Sequence, residues 1–276
     1  MTIDLSLVID AVSCTDPGRV RTQNEDAVYV RAADGLAILA DGMGGYNAGE
    51  VASGMAITLL AAEMEKSLRD RSPQALAGDS GDALAVAYLR EHIAEANAAV
   101  YRAAESQPQY QGMGTTLVMG LFHDNRVTLA HIGDSRCYRY RAGSLEAITR
   151  DHSFLQDQID SGMLSAEEAR FSANRNLVTR ALGVDATVDP EIRSLPVLPG
   201  DIYLFCSDGL NDMLEDDEIA SALHGVGADL ASAASTLVRM ANEAGGRDNV
   251  SVILLRIKSD YHAPRNWAER FAAWLK

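Results

Sequence analysis

Cysteine is scarce in this sequence: Cys14, Cys137 and Cys206 are the three among 276 residues, and they stand far apart. That spacing gives neither a disulfide framework nor the paired-cysteine pattern of a zinc site. Two of the three sit in strongly apolar or aromatic company, which reads as reduced thiols in or near a core, as in a cytosolic protein. No uninterrupted apolar run approaches the roughly 18 residues that a membrane helix needs, so stable membrane insertion is not expected. The opening MTIDLSLVID has no basic segment leading into a long apolar one and does not read as a secretory signal. The expected location is cytoplasmic. Positive charge is also in short supply, with 24 basic residues against 39 acidic ones and a formal net charge of −15. Such a chain repels the phosphate backbone of nucleic acid, which argues against nucleic-acid binding. Three familiar signatures are missing too. GMGGYNAG is glycine-rich but has no P-loop lysine and no GxGxxG spacing, and no G-x-S-x-G nucleophile turn occurs.

What is present is ordinary for a globular chain: 47% hydrophobic and 23% charged residues, and enough length for a sizeable core. Strand-like runs recur at Leu5–Val12, Ala27–Arg31, Leu36–Ala40, Thr116–Phe122, Val127–Ile132, Arg136–Arg141, Ile202–Cys206 and Val250–Ile257. LFHDNRVTLA reads as a hairpin, so the sheets should be largely antiparallel. Two long helical patterns interrupt the strands, one through Val51, Met55, Leu59 and Ala62, the other through Val86, Leu89, Ile93, Ala96 and Val100. A third helix is expected over Asp229–Ala244. Long helices among antiparallel strands indicate an α+β domain with helices packed outside its sheets. No Pro/Gly-rich linker divides the chain, so one domain is expected over residues 1–258. The polar stretch from Asp151 to Ala181, with Gly162 and a helix start at Ser165, reads equally as a mobile lid or a solvated helical excursion.

The informative residues are aspartates at the ends of apolar runs. Asp41 follows LAILA, Asp208 follows IYLFCS, Asp134 follows TLAHIG, and Asp248 precedes NVSVILL. Taken singly, Asp-Gly is a common turn dipeptide. Four such placements fit strand ends converging on one edge of a sheet, where buried carboxylates must be paired, hydrogen-bonded or bound to metal. The six histidines are scattered, and no His/Cys cluster accompanies these aspartates. Oxygen-only ligation favours Mg²⁺ or Mn²⁺ over Zn²⁺ or Cu²⁺. Gly42, lacking a side chain, would let its carbonyl approach a cation closely. Two metals sharing a carboxylate lie ~3.5–4 Å apart, a spacing suited to hydrolysis of a phosphate ester by a hydroxide held between them. Arg21, three residues before Asn24-Glu25-Asp26, offers a fork for phosphate. Local sequence by itself favours a surface ion pair with a neighbouring acid.

At these residues the chain resembles the metal-dependent protein phosphatases of type 2C, the PPM family, and especially its short bacterial members. The matching pieces are RTQNEDA, ADGMGG, GMGTT, HIGDSR, TRDHS, TRALG, CSDGLND and GGRDNVSVILL, in the family order from Arg21 to Leu255. The resemblance implies two antiparallel β-sheets packed face to face and flanked by helices on both outer faces, an α-β-β-α sandwich. It implies two Mn²⁺ or Mg²⁺ ions held by Asp41, the Gly42 carbonyl, Asp208 and Asp248. Asp134 would help Asp208 bind a weaker third ion. Glu25 and Asp26 would hold metal-bound waters, with Asn249 beside them, and Arg21 would grip the substrate phosphate. Residues 153–176 would be the family's flap. The implied activity is hydrolysis of phosphoserine and phosphothreonine in phosphorylated proteins, opposing a Ser/Thr kinase in bacterial signalling. Members from higher organisms often carry histidine after Asp-Gly; here Met43 cannot donate a proton, so that proton must come from water or another side chain. His152 is near in the motif order, but a structural hydrogen-bonding role is the expectation for it. The competing reading, a catalytically inactive phosphatase-shaped binding module, requires lost ligands, and every expected aspartate is present.

Beyond the last motif, Trp267, Phe271, Trp274 and Leu275 form one apolar stripe after Pro264, so residues 259–276 read as an amphipathic helical extension. Docking on its own domain is expected, in a monomer; the alternative is a docking helix for a partner or a second copy.

Overall fold

The computed structural model describes residues 4–45, 48–76, 83–165, 168, 177–225 and 229–262. Strands are numbered along the chain. One sheet has the order β2 (Asp26–Arg31), β3 (Leu36–Met43), β5 (Leu117–His123), β6 (Arg126–Ile132), β9 (Glu191–Pro196), with the short β4 (Gly114–Thr115) pairing the end of β3. The other has the order β1 (Ile9–Asp16), β11 (Val250–Ile257), β10 (Ile202–Cys206), β7 (Arg136–Arg141), β8 (Ser144–Ala147). All pairings between these strands are antiparallel. Helices α1 (Ala48–Asp70) and α2 (Leu84–Ser106) cover the first sheet. Helices α4 (Asp208–Asn211), α5 (Asp216–Leu223) and α6 (Leu230–Glu243) lie on the second. A further helix, α3 (Phe154–Asp160), stands in the 151–181 segment. The α+β sandwich expected from the sequence is the architecture found.

The central strands are apolar on both faces because both faces are covered. On β3, Leu36, Ile38 and Ala40 pack toward α1 and α2, while Ala37 and Leu39 point into the layer between the sheets. On β10, Ile202, Leu204 and Cys206 face the helices, and Tyr203 and Phe205 meet β3, β5 and β6 across that inner layer. A strand with one wet face would alternate; these read as continuous runs instead. The β5–β6 hairpin turns at Asp124 and Asn125, both with positive φ (45° and 55°), the pattern of a two-residue type I′ turn.

One sequence expectation needs correction, and two strands are additions to it. The first strand does not span Leu5–Val12. Leu5–Leu7 form a 3-10 turn whose Asp4 carboxylate accepts the Ser6 N–H at 2.9 Å, and the strand runs on to Asp16. The reason is its partner: β11 supplies backbone groups from Ile257 opposite Ile9 to Val250 opposite Asp16, so the polar SCTD segment is held in the ladder despite its composition. Strands β8 and β9 escaped the sequence reading because they are sheet edges with weak apolar alternation. In the flap segment, Ser165 Oγ accepts from the Glu168 N–H, and the Glu168 carboxylate accepts from the Ser165 N–H and hydroxyl, the reciprocal bonds of a helix start. Residues 166, 167 and 169–176 of the expected flap, and the tail from 263 onward, lie outside the described residues. Packing continues past Lys258: Tyr261 is buried in the inter-sheet layer, and its N–H donates to Asn125 Oδ1 at 2.6 Å. No helix among the described residues is long and apolar enough to cross a membrane.

Candidate metal centre

The site is built where strands of both sheets end together. β3 emerges from the core at Asp41, whose backbone is fixed on both sides. Its N–H donates to Thr116 Oγ1 at 3.1 Å, and its carbonyl accepts the Thr116 N–H at 2.9 Å and the Thr115 hydroxyl at 2.8 Å. On the other flank Asp26 of β2 stands directly opposite Asp41. The next residue must be glycine. A Cβ on Gly42 would fall 2.1 Å from the Gly49 carbonyl oxygen, so only glycine lets the end of β3 lie against the start of α1. The Gly42 N–H donates to the Glu25 carbonyl at 3.1 Å, which also accepts the Ser53 hydroxyl from α1 at 2.6 Å.

The second sheet contributes Asp208 and Asp248. β10 ends at Cys206, and Asp208 opens α4. The intervening Ser207 donates its hydroxyl to Asp26 Oδ2 at 2.8 Å, tying the two sheets together. A Cβ on Gly209 would lie 2.0 Å from the Asn249 carbonyl oxygen, so the loops carrying Asp208 and Asp248 meet backbone to backbone. Asn249 is a clamp: its Oδ1 accepts the Glu25 N–H at 2.8 Å, and its amide donates to the carbonyls of Pro17 (3.0 Å) and Gln23 (2.8 Å). Arg21 does form an ion pair, but with an acid 227 positions away: its Nη2 donates to Asp248 Oδ2 at 2.7 Å, and its side chain is 52% exposed.

These carboxylates raise one another's proton affinity. Burial and then the neighbouring charges of Asp26, Asp208, Asp134 and Asp248 hold the Asp41 carboxyl well above the usual range. Asp208 is raised the same way, by burial and then by Asp134, Asp212, Asp248 and Asp26. Burial pushes Asp26 up to about 6 against hydrogen bonds that favour its charge, and Asp134 up to about 6 with repulsion from Asp151 added. Asp26 Oδ1 is buried with no hydrogen-bond partner. A crowd of half-buried carboxylates with an orphaned oxygen is an environment that a hard divalent cation would satisfy. The donor set is oxygen alone, which suits Mn²⁺ or Mg²⁺.

A pH consequence follows. An aspartate whose folded pKa exceeds its unfolded value of about 4 binds a proton that the unfolded chain has lost, so it costs stability as pH rises through the folded value. For Asp134 that window is from about 4 to about 6. Buried His123 and His152, both lowered to about 4 by burial, titrate with the opposite sign, so the comparison must be differential. In chelator, Asp134→Asn is expected to match wild type in melting temperature at pH 4 and exceed it at pH 7. A difference that shrinks with rising pH would contradict the assignment.

A cleft of about 590 Å³ opens beside the cluster, lined by Asp134, Asp151, Asp208 and Asp212 together with Leu155 and Ile159 of α3. Arg136 also lines it, with Nε and Nη2 on the two oxygens of Asp151 at 2.8 and 2.7 Å. A separate group, His131, His152 and Glu191, brings its polar atoms within 4.8 Å of one another. Its hydrogen bonds assign the protons. His131 Nε2 donates to the Arg150 carbonyl at 2.8 Å, whereas His152 Nδ1 accepts the Gly133 N–H at 3.2 Å. Neutral His152 therefore carries its proton on Nε2, the atom 3.8 Å from Glu191 Oε2, and presents a donor where a metal needs a lone pair. This matches the structural role expected for His152.

With that geometry in hand, likeness to known proteins is decisive. The family profile described as Protein phosphatase 2C matches residues 18–254. The chain belongs to this family. The serine/threonine protein phosphatase PstP of Mycobacterium tuberculosis is 41% identical over 250 residues, covering 91% of this chain and 45% of that protein. The chain thus spans less than half the length of this relative. The serine/threonine phosphatase stp of Listeria welshimeri is 34% identical over 244 residues, covering 87% of this chain and 93% of that protein. Among solved structures, the catalytic domain of PstP in complex with two manganese ions superposes with a TM-score of 0.78 at 38% identity, covering 91% of this chain and 99% of that one. That PstP domain holds two manganese ions, and the fold seen here is the family's.

The structure brings Arg21, Glu25, Asp26, Asp41, Gly42, Asp134, Asp208, Asp248 and Asn249 to one end of the sandwich. Sequence reasoning missed the hydroxyl groups that hold them: Thr115, Thr116, Ser135, Ser207 and Ser53. The available signal was their position, since GMGTT, GDSR and CSDG each set a hydroxyl residue near or beside the acidic strand ends.

Proposed function

We propose that this chain is a metal-dependent protein serine/threonine phosphatase, acting on phosphorylated proteins and opposing a Ser/Thr kinase. The observation that carries the proposal is the convergence of Asp41, Asp208 and Asp248 from three strand ends with Arg21 at the rim. Asp41, the Gly42 carbonyl, Asp208 and Asp248 would hold a pair of Mn²⁺ or Mg²⁺ ions, and Asp134 with Asp208 a weaker third. Glu25 and Asp26 would orient water around them. When bound, the ions supply Lewis-acid polarisation and charge neutralisation for in-line displacement at phosphorus. The catalytic unit would be residues 1–258 with a flap over 153–176.

The chain's own residues do the positioning. Arg21 is held at Asp248 through Nη2 with about half of its side chain exposed, so its remaining donors can reach phosphoryl oxygens while it stays near the acidic cluster. Met43 offers no proton to the leaving serine or threonine oxygen, and His152 is committed to its buried cluster. Solvent is the remaining proton source in this reading. Arg21→Ala is expected to raise KM for a phosphothreonine peptide by about tenfold, with a smaller fall in kcat, because a charge-assisted pair of hydrogen bonds is lost in both ground and transition states. An unchanged KM would remove Arg21 from the phosphate site.

The test of the activity is phosphate release from phosphothreonine and phosphoserine peptides by the purified chain in Mn²⁺. Hydrolysis of both supports the proposal. A folded, manganese-binding chain with no turnover on either would return the inactive binding module as the better reading.

A further inference from the structure

Two hydroxyl side chains join the strand ends that carry Asp41 and Asp134. Thr116, in the turn between β4 and β5, and Ser135, in the turn from β6 to β7, lie with their oxygens 2.6 Å apart; Thr116 is 4% exposed and Ser135 fully buried. The same Thr116 oxygen accepts the Asp41 N–H at 3.1 Å, and the Thr116 N–H returns a bond to the Asp41 carbonyl at 2.9 Å. Asp41 is thus bound to Thr116 at both its backbone groups, and Thr116 in turn to the residue after Asp134.

The contact is steric as well as polar. Gly133 has φ +98°, and a Cβ there would lie 2.8 Å from both Cβ and Cγ2 of Thr116. The β6–β7 turn therefore packs directly on the Thr116 side chain, with only glycine fitting between. That turn is also where the chain passes from one sheet to the other, from β6 into β7. Thr116 and Ser135 accordingly stand at a joint between the sheets, beneath two acids that repel each other and that both contribute to the charge around Asp208.

We propose that Thr116 and Ser135 form a positioning pair that fixes the separation of Asp41 and Asp134 and so sets the affinity of this centre for its cations. The proposal rests on the metal-dependent reading given above. In hydrogen-bond terms the pair is a relay: the Thr116 oxygen accepts from Asp41, and one of the two hydroxyls donates to the other. Removing the Thr116 oxygen while keeping its shape leaves the Asp41 N–H without its partner and frees the Asp134 turn to drift. Neither hydroxyl is assigned contact with substrate, so their effect should fall on metal binding and not on phosphate recognition.

The experiment compares Thr116→Val, Thr116→Ser and Ser135→Ala with wild type. Mn²⁺ binding is measured by electron paramagnetic resonance of the free ion, alongside the Mn²⁺ dependence of phosphopeptide turnover, KM for the peptide, and melting temperature. The expected result for Thr116→Val is about tenfold weaker Mn²⁺ binding with peptide KM unchanged at saturating Mn²⁺, as for other loss of support behind metal ligands. Thr116→Ser should restore binding to near wild type, and Ser135→Ala should show the same change in smaller degree. Should Thr116→Val fail to fold, Ser135→Ala decides, because it spares the Asp41 bond. Wild-type Mn²⁺ affinity in a folded Thr116→Val or, failing that, Ser135→Ala would overturn the proposal. So would a Thr116→Ser variant as weak as Thr116→Val, which would make the methyl contact with Gly133 the operative one. Wild-type turnover undiminished after complete removal of divalent metal would instead overturn the metal-dependent reading beneath it.

Discussion

Asp208→Asn is expected to lower kcat on a phosphothreonine peptide by about three orders of magnitude, equivalent to roughly 4 kcal/mol of transition-state stabilisation. Asp208 lines the cleft, at the opening of α4, with Asp134, Asp212, Asp248 and Asp26 as its charged neighbours. In the proposed centre it would serve more than one cation, and the amide keeps its shape while removing its charge. The fold should survive. In the absence of metal the carboxylate is held against burial and like charge, which is why its proton affinity is raised well above normal. Asparagine removes that repulsion, so the melting temperature in chelator should equal or exceed that of wild type. Turnover within tenfold of wild type at saturating Mn²⁺ would show that Asp208 is not a principal ligand. Loss of turnover together with unfolding would point to a structural role.

Complete removal of divalent metal is expected to abolish turnover, with a loss larger than that of any single substitution. The physical ground is the same acidic end of the molecule. At the candidate centre Asp26, Asp41, Asp134, Asp208 and Asp248 face Arg21, while Arg136, near Asp134, is already paired with Asp151, so an anionic phosphoester is repelled until cations reverse the field. Mn²⁺ should restore the activity of the stripped chain, and Mg²⁺ should do so at higher concentration. Zn²⁺ should restore less, since among the described residues no histidine or cysteine joins these aspartates in a metal-binding group. The check is turnover after exhaustive chelation with residual metal quantified. Full activity in demonstrably metal-free protein would contradict the site altogether.

How much of this was legible beforehand depended on the kind of residue. The central strands announced themselves because sheets covered on both faces yield unbroken apolar runs, as in LAILA and IYLFC. The acids were legible because charge at the end of such a run needs a reason. Edge strands β8 and β9 were not, since a strand with one wet face and polar composition leaves little pattern. Strand β1 was misplaced because its register is dictated by β11, some 240 residues later, and no local signal carries that information. The partner of Arg21 was hidden for the same reason: sequence favours a neighbouring acid, whereas the fold delivers Asp248. Thr116, Ser135 and Ser207 were invisible individually, because a hydroxyl near a turn is ordinary until the strand it braces is known.

The most direct measurement is anomalous diffraction at the manganese edge from crystals of the wild-type chain and of Asp208→Asn grown with Mn²⁺. Wild type should show two strong peaks, both within coordination distance of Asp41, the Gly42 carbonyl, Asp208 or Asp248, and the variant should lose at least one of them. Strong peaks that lie elsewhere, such as at His131, His152 and Glu191, with none among those aspartates, would contradict the assignment of the centre.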